Sequence, residues 1–321
     1  MKFTEAMLDS YSQPLSATED AQCKNAISMI RDALKSLSFT DDNKDIAPLY
    51  SDTLAYAIEM RSLYGSRKIK LFVQGSYANN TNVRTESDVD IAVIEESTFR
   101  TDYRPGVTDS NYNFTTAPTP VKAFKDEIQE ALTLKFGKDV ERGDKSVKVH
   151  GNTYRKDADT VPCRRNRDYR NDYRNDEFNY IGGIVIYPDS GGMIINYPEQ
   201  HIYNGRQKNT ATNGYFKKMV RIMKKMRYLM EDKNISSANN VGSFVLESML
   251  WNVTDSWYLE DCKKYRKVFA FYQLIQLLKG SKGSFMSWKE ANGIKPLCSD
   301  STAYTWLCKF VDDLSTFYEY E

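Results

Sequence analysis

Gln74-Gly75-Ser76-Tyr77-Ala78-Asn79-Asn80-Thr81, and beyond it Ser87-Asp88-Val89-Asp90-Ile91, is the stretch on which the reading of this chain turns. The short run Ile69-Lys70-Leu71-Phe72-Val73 leads into it and predicts a strand that ends at Gly75-Ser76. A second run, Asp88 to Ile94, is rich in β-branched residues and predicts a core strand. Side chains alternate faces along a strand, so Asp88 and Asp90 point one way while Val89, Ile91 and Val93 point into the core. Two carboxylates on one face repel and raise each other's pKa. A divalent cation reverses that penalty, and hard carboxylate oxygens suit Mg²⁺ or Mn²⁺. Gly75 lets backbone approach a phosphate, and Ser76 offers a hydroxyl donor. An isolated Asp-x-Asp is most often a polar hairpin with two exposed aspartates. Coupled to a Gly-Ser turn and an apolar strand, it points to phosphoryl transfer.

The rest of the composition narrows the setting. A formal net charge of +1 means that any attraction for nucleotides must come from local patches. Cys23, Cys163, Cys262, Cys298 and Cys308 are odd in number and include no C-x-x-C pair, which argues for a reducing compartment and against a disulfide framework. With two histidines, His150 and His201, a Cys/His zinc site is not supported. The N-terminus lacks the apolar run of a signal peptide, and no stretch has membrane-spanning length, so a cytoplasmic protein is expected. No G-x-x-x-x-G-K-[ST] loop is present, so a P-loop ATPase is not supported.

Periodicity predicts helices over 18–38, with Thr18 as N-cap, over 49–63, and over 119–135. Lys145–His150, Ala158–Val161, Tyr180–Tyr187 and Gly192–Tyr197 read as strands. Arg164–Asp176 reads as a solvated loop, and His201–Thr212 as a polar loop that bounds a domain. Helices are expected near 213–232, 241–254, 257–279 and 302–319, with Tyr304, Trp306, Phe310 and Phe317 as packing residues.

Between Gly214 and Lys233 lies a basic segment: Lys217, Lys218, Arg221, Lys224, Lys225, Arg227 and Lys233 against Glu231 and Asp232. Met219, Ile222, Met223, Met226 and Met230 form the apolar stripe of the same helix. Lys217, Arg221 and Lys224 share one face. Like charges at this density destabilise a helix unless an anion covers them, and a triphosphate is the obvious candidate.

Gly75-Ser76…Ser87-Asp88-Val89-Asp90 resembles the signature of the polymerase-beta-like nucleotidyltransferases, and most closely that of the bacterial cGAS/DncV-like enzymes of anti-phage CBASS systems. The resemblance runs from about residue 18 to residue 280. It implies an α/β fold: a mixed twisted sheet with flanking helices over residues 1–205, and a helical lobe over 206–321 that completes the nucleotide cleft. It also implies a third carboxylate. Asp159 matches best, with Asp157, two residues away on the same strand face, as the alternative. Thr160 stands where the family more often has an aliphatic residue.

By the same resemblance Asp88, Asp90 and Asp159 would be catalytic and hold two Mg²⁺ or Mn²⁺ ions. Gln74, Gly75, Ser76, Lys217, Arg221, Lys224, Lys225, Ser243 and Phe244 would bind nucleotide, with a lysine on phosphate (Lys224 or Lys225), Ser243 on phosphate and Phe244 stacked on a base. The implied activity joins nucleoside triphosphates such as ATP and GTP into a cyclic oligonucleotide, a dinucleotide by preference, which acts on a downstream effector in antiviral defence. No membrane and no stable nucleic-acid partner are expected. The competing readings are a nucleotidyltransferase that modifies tRNA or a small molecule, and a non-catalytic nucleotide sensor on the same fold.

Overall fold

The computed structural model describes residues 2–41, 49–50, 53–84, 88–117 and 122–320. In chain order, β1 (Lys2–Phe3), α1 (Glu5–Tyr11) and α2 (Ala17–Leu34) precede strands β2 (Phe39–Thr40), β3 (Ala57–Ser62) and β4 (Lys68–Gln74). A single helical turn, α3 (Gly75–Ala78), leads to the long strand β5 (Val89–Asp102) and then to α4 (Phe124–Phe136). Strands β6 (Val140–Arg142), β7 (Val147–Val149), β8 (Ala158–Asp168), β9 (Ile181–Ile186) and β10 (Ile194–Asn196) complete the sheet. The remainder is helical: α5 (Pro198–Ala211), α6 (Tyr215–Asp232), α7 (Ser236–Asn240), α8 (Ser243–Asn252), α9 (Asp255–Lys264), α10 (Lys267–Gly280) and α11 (Ser301–Phe317), closed by β11 (Glu319–Tyr320).

These elements form two compact units. One comprises Ala17–Ala78 and Asp88–Glu199; the other comprises Met1–Ser16, Asn79–Ser87 and Gln200–Glu321. The first unit is built on the sheet β10-β9-β8-β5-β4-β3-β2, with β7 also pairing β8 and β6 pairing β7. All its pairings are antiparallel except β5 with β8, which is parallel. Helices α2 and α4 pack on each other, α2 also on β5 and α4 also on β7 and β8, and Ile27, Ile30, Ile128 and Leu132 are buried, as are Val89, Ile91 and Val93 of β5. The second unit has its own core, in which the methionine stripe of α6 meets Leu246, Met249, Leu250, Phe271, Leu274 and Phe310. Phe310 is fully buried, while Tyr304, Trp306 and Phe317 pack against that core only in part.

The structure departs from several sequence expectations. Within the helix expected over 49–63, residues 51–52 lie outside the described residues, and Ala57–Ser62 is a strand. Its inward side chains, Ile58 and Met60, alternate with exposed Glu59 and Arg61, and pair in register with Leu71 and Ile69. A period of two was present and was overridden by helix-favouring composition. His201–Thr212 is not a loop but most of α5, entered through Pro198 at a position where its missing N–H is harmless. Its buried positions include His201 and Gly205 as well as Ile202, so it lacks an apolar stripe. The expected helix over 257–279 is two, broken where Tyr265 and Arg266 take extended backbone. The expected helix over 241–254 begins at Ser243, after the separate short α7. Helix α2 already includes Thr18, so Thr18 does not cap it. Residues 118–121, at the start of the helix expected from 119, lie outside the described residues. Arg164–Asp168 continues β8 rather than forming a solvated loop, and Arg165, Asn166 and Tyr169 are buried.

Thr160 sits in β8 between Ile91 on one side and Val147 on the other, fully buried, and its hydroxyl has no hydrogen-bond partner. A buried unsatisfied hydroxyl costs about 1–3 kcal/mol, and valine has the same shape without it. Thr160→Val is therefore expected to raise the urea midpoint at unchanged slope. A lower midpoint would show that the hydroxyl is satisfied in solution.

Candidate active site

The first unit gathers its acidic side chains along one rung of the sheet. Cα pairing places Gln74 of β4 beside Asp90 of β5, Asp90 beside Asp159 of β8, and Asp159 beside Lys148 of β7. Neighbours on a rung share a face, so this side of the sheet carries two adjacent aspartates flanked by an amide and an ammonium. Asp88 and Asp157 each lie two residues back, on the same face. Lys148 Nζ reaches both, at 3.0 Å from Asp88 Oδ2 and 3.0 Å from Asp157 Oδ2.

The turn after β4 is shaped around Asp90. Gly75 has φ +70°, and a Cβ built there would lie 2.0 Å from Asp90 Oδ2. Both the left-handed backbone and the close approach demand glycine. The turn is anchored from beneath by Tyr77, whose buried hydroxyl donates to Asp20 Oδ1 of α2 at 2.8 Å. Gln74, Gly75 and Ser76 are half-buried beside the acidic rung, where their polar groups remain accessible.

The two candidates for the third carboxylate differ in state. Burial pushes the Asp159 carboxyl above its usual range, and Asp88 and Asp157 push the same way, against Lys148 and Ser146. Asp157 is also desolvated, yet the Gly151 amide, 2.5 Å from Oδ1, and Lys148 outweigh this and hold its pKa below the ordinary value. Asp157 already has its counter-charges; Asp159 is destabilised as an anion and gains from a cation. Among the described residues no three acidic, histidine or cysteine side chains are gathered closely enough to hold an ion by themselves. The donor chemistry nevertheless fits: Mg²⁺ is characteristically held by one or two carboxylates together with substrate phosphates, and Asp88, Asp90 and Asp159 offer only hard oxygens.

The second unit places the basic residues of α6. Lys217, Arg221 and Lys224 are buried, and Lys225 is half-buried. Arg221 donates to the carbonyls of Ser12, at 2.7 Å, and Asn80, at 2.6 Å. Burial holds its pKa down to about 10, with Arg84 contributing. Lys224 Nζ donates to Glu247 Oε2 at 2.6 Å and to Thr81 Oγ1 at 3.1 Å; Thr81 in turn donates to Glu247 at 2.7 Å. His201 Nε2 lies 2.8 Å from Glu247 Oε1. Full burial would push the Glu247 carboxyl up, but Lys224 and His201 outweigh it and hold its pKa well below the carboxylate range. Ser243 opens α8, and Phe244, 38% exposed, stands edge-on to the His201 ring with centroids 4.9 Å apart.

Lys148, His201, Glu247 and Thr81 were not singled out from the sequence. A signal for Glu247 existed: a lone acid between Leu246 and Met249-Leu250 must be paired if that helix is buried. For Lys148 the signal was the alternation Val147-Lys148-Val149, which puts a cation on the face opposite the core.

The fold and the acidic rung define a nucleotidyltransferase, and residues 57–170 match the model of the nucleotidyltransferase domain. Residues 203–319 match that of the cGAS/DncV-like nucleotidyltransferase C-terminal helical domain. The chain is 44% identical to the cyclic GMP-AMP synthase CdnE03 of Staphylococcus schleiferi, over 100% of this chain and 98% of that protein. It is 35% identical to the cyclic dipyrimidine nucleotide synthase CdnE of Legionella pneumophila, over 89% of this chain and 88% of that one. The solved structure of the Rhodothermus marinus CdnE c-UMP-AMP synthase with Apcpp and Upnpp superposes with a TM-score of 0.73 at 26% identity, covering 98% of this chain and 96% of that one. This chain therefore belongs to the cGAS/DncV-like nucleotidyltransferases and is an enzyme of that class. No helix among the described residues is long and apolar enough to cross a membrane.

Two predictions follow from the geometry. Gly75→Ala sets a methyl against the Asp90 carboxylate and strains the backbone, so the variant should fold but lose at least roughly a hundredfold in turnover, the loss that a displacement of about 1 Å within a site can cause; wild-type turnover would show that the turn can shift away from Asp90 or that Asp90 takes no part. Glu247→Gln leaves a buried lysine without its counter-charge and should destabilise the enzyme by about 3–5 kcal/mol in urea. Because the folded pKa of Glu247 is depressed, its stabilisation is present above the unfolded value of about 4.3 and fades as pH falls below it. The gap between wild type and variant should therefore narrow below that pH; a gap independent of pH would mean that Glu247 is not ionised.

Proposed function

We propose that the enzyme joins two nucleoside triphosphates into a cyclic dinucleotide at the Gly75–Asp90–Asp159 site. The enzyme makes cyclic oligonucleotides. The observation that carries the proposal is the rung on which Asp90 and Asp159 are neighbours, with Gly75 pressed against Asp90. In each transfer a ribose hydroxyl oxygen bonds to the α-phosphorus of a triphosphate, and pyrophosphate leaves. A second transfer, from the other ribose, closes the ring.

The chain's own groups have distinct tasks. The Gly75 backbone, the Ser76 hydroxyl and the Gln74 amide orient the triphosphate, and the missing Cβ at Gly75 keeps Asp90 in reach. Asp88 and Asp90 would hold the divalent ions. Asp159 would hold the ion on the nucleophile side and receive the hydroxyl proton. Two Mg²⁺ or Mn²⁺ ions, when bound, supply Lewis-acid activation of the hydroxyl and neutralise the charge that develops on pyrophosphate. Lys225, half-buried on α6, and Ser243 serve the phosphates, and Phe244, half-exposed at the start of α8, stacks on a base. Lys217, Arg221 and Lys224, expected on phosphate from the sequence, are buried, and Arg221 and Lys224 are committed to Ser12, Asn80, Thr81 and Glu247, so they support the helix instead. Cytoplasmic action, a cyclic-nucleotide-responsive effector and a part in phage defence follow from the resemblance to CBASS enzymes. The GMP-AMP product named for the Staphylococcus schleiferi relative makes GTP with ATP the first pair to test.

The test is incubation with each labelled triphosphate and Mg²⁺ or Mn²⁺, then phosphatase treatment and mass spectrometry. A phosphatase-resistant cyclic dinucleotide supports the reading; label transferred to added tRNA supports a macromolecule-modifying enzyme instead. Asp88→Asn with Asp90→Asn should fold normally and lose activity by orders of magnitude. Asp159→Asn should be inactive at saturating Mg²⁺ or Mn²⁺, and Asp157→Asn should keep most of its activity, because Asp157 is already committed to Gly151 and Lys148. The reverse result would move the third ligand to Asp157.

A further inference from the structure

Lys148 is the part of this face that the transfer reaction leaves unexplained. It lies beside Asp159 in register, on a strand of three residues, and its stem crosses the acidic face to end between Asp88 and Asp157. Other basic side chains of the same stretch are turned elsewhere: Arg155 to Asp139 and Lys156 to Glu19, while His150 Nε2 lies beside Glu141. Lys148 brings its positive charge to this acidic side of the sheet, where it pairs with Asp88 and Asp157 and lies beside Asp159.

We propose that Lys148 is an internal counter-cation that holds Asp88 while the metal site is empty, competes with the divalent ion for that carboxylate, and withdraws to Asp157 when the ion binds. This rests on the reading of Asp88 and Asp90 as metal ligands. Three observations carry it. Lys148 has two partners at the same distance of 3.0 Å, so surrendering Asp88 leaves its charge paired. Asp157 is steadied independently by the Gly151 amide, which makes it a fixed resting place. The three side chains are partly exposed, at 29% for Lys148, 41% for Asp88 and 35% for Asp157, so the ammonium can swing on its flexible stem without stranding a buried charge. An ion of twice the charge displaces the ammonium from Asp88, and triphosphate oxygens then complete its shell. Lys148 is thus a positioning residue: it keeps the acidic face from repelling itself open before substrate arrives.

The experiment is Mn²⁺ binding to the nucleotide-free full chain, read from the electron paramagnetic resonance signal of free Mn²⁺. Lys148→Gln should bind Mn²⁺ roughly fivefold more tightly than wild type, the size expected for loss of a partly exposed ion pair. Lys148→Arg should stay near the wild-type value. A purely structural lysine would give unchanged or weaker binding in Lys148→Gln, and either result overturns the proposal. Asp157→Asn supplies a second route. With its resting place gone, Lys148 should grip Asp88 harder and weaken Mn²⁺ binding, and adding Lys148→Gln should abolish that weakening. If the weakening persists in the double variant, Asp157 is acting as a ligand and the proposal fails. The underlying site is judged separately: Asp88→Asn with Asp90→Asn should lose Mn²⁺ binding, and undiminished binding there would sink the metal-site reading itself.

Discussion

Asp90 and Asp159 repel each other, and the parallel pairing of β5 with β8 holds them side by side regardless. Two unit charges about 4 Å apart at an effective dielectric of about 20 repel by about 4 kcal/mol, so a neighbouring pair of ionised carboxylates carries a cost of this order. The same strand buries Val89, Ile91 and Val93 on its other face, and each such side chain contributes about 1.5–3 kcal/mol. The apolar face wins, so the sheet can carry a local electrostatic penalty that no isolated hairpin would tolerate. Two features are set against this pair: glycine at position 75, pressed on Asp90, and Lys148 of β7, in register with Asp159.

What could be read from the sequence was whatever depends on local alternation. Asp88 and Asp90 on one face, Val89 and Ile91 on the other, and a strand ending at Gln74 are consequences of a two-residue period and survive into the structure. The pairing partner of a strand is not local. That β8 lies beside β5, and that Asp90 meets Asp159 rather than Asp157, is decided by register over a separation of nearly seventy residues; the sequence reached it only through resemblance to a family. The approach of Gly75 to Asp90 shows the same limit, since a glycine announces permissive backbone but not what presses against it.

The helical unit was misread in a different way. The basic and apolar faces of α6 were both visible, and an apolar stripe normally faces inward while charges face water. Here both faces are buried. Acceptors for the charged face come from elsewhere in the unit: carbonyls of Ser12 and Asn80, the Thr81 hydroxyl and the Glu247 carboxylate. His201 of α5 belongs to the same network, which is why a helix facing inward with polar side chains looked like a loop. Hydrophobic periodicity has no power where the buried contacts are hydrogen-bonded ions.

The order in which the chain visits its two units has a genetic consequence. It passes between them after Ser16, Ala78, Ser87 and Glu199, so neither unit is one uninterrupted segment. A single crossover between the genes of two relatives, placed after Glu199, would deliver a helical segment without the Met1–Ser16 and Asn79–Ser87 pieces that pack with it in its own parent. Lys224 would then have to find its hydroxyl at position 81 of a foreign chain, and Arg221 its two carbonyls on a foreign backbone that follows the same path. A one-crossover exchange of helical segments cuts these contacts, whereas substitution within an intact chain preserves them.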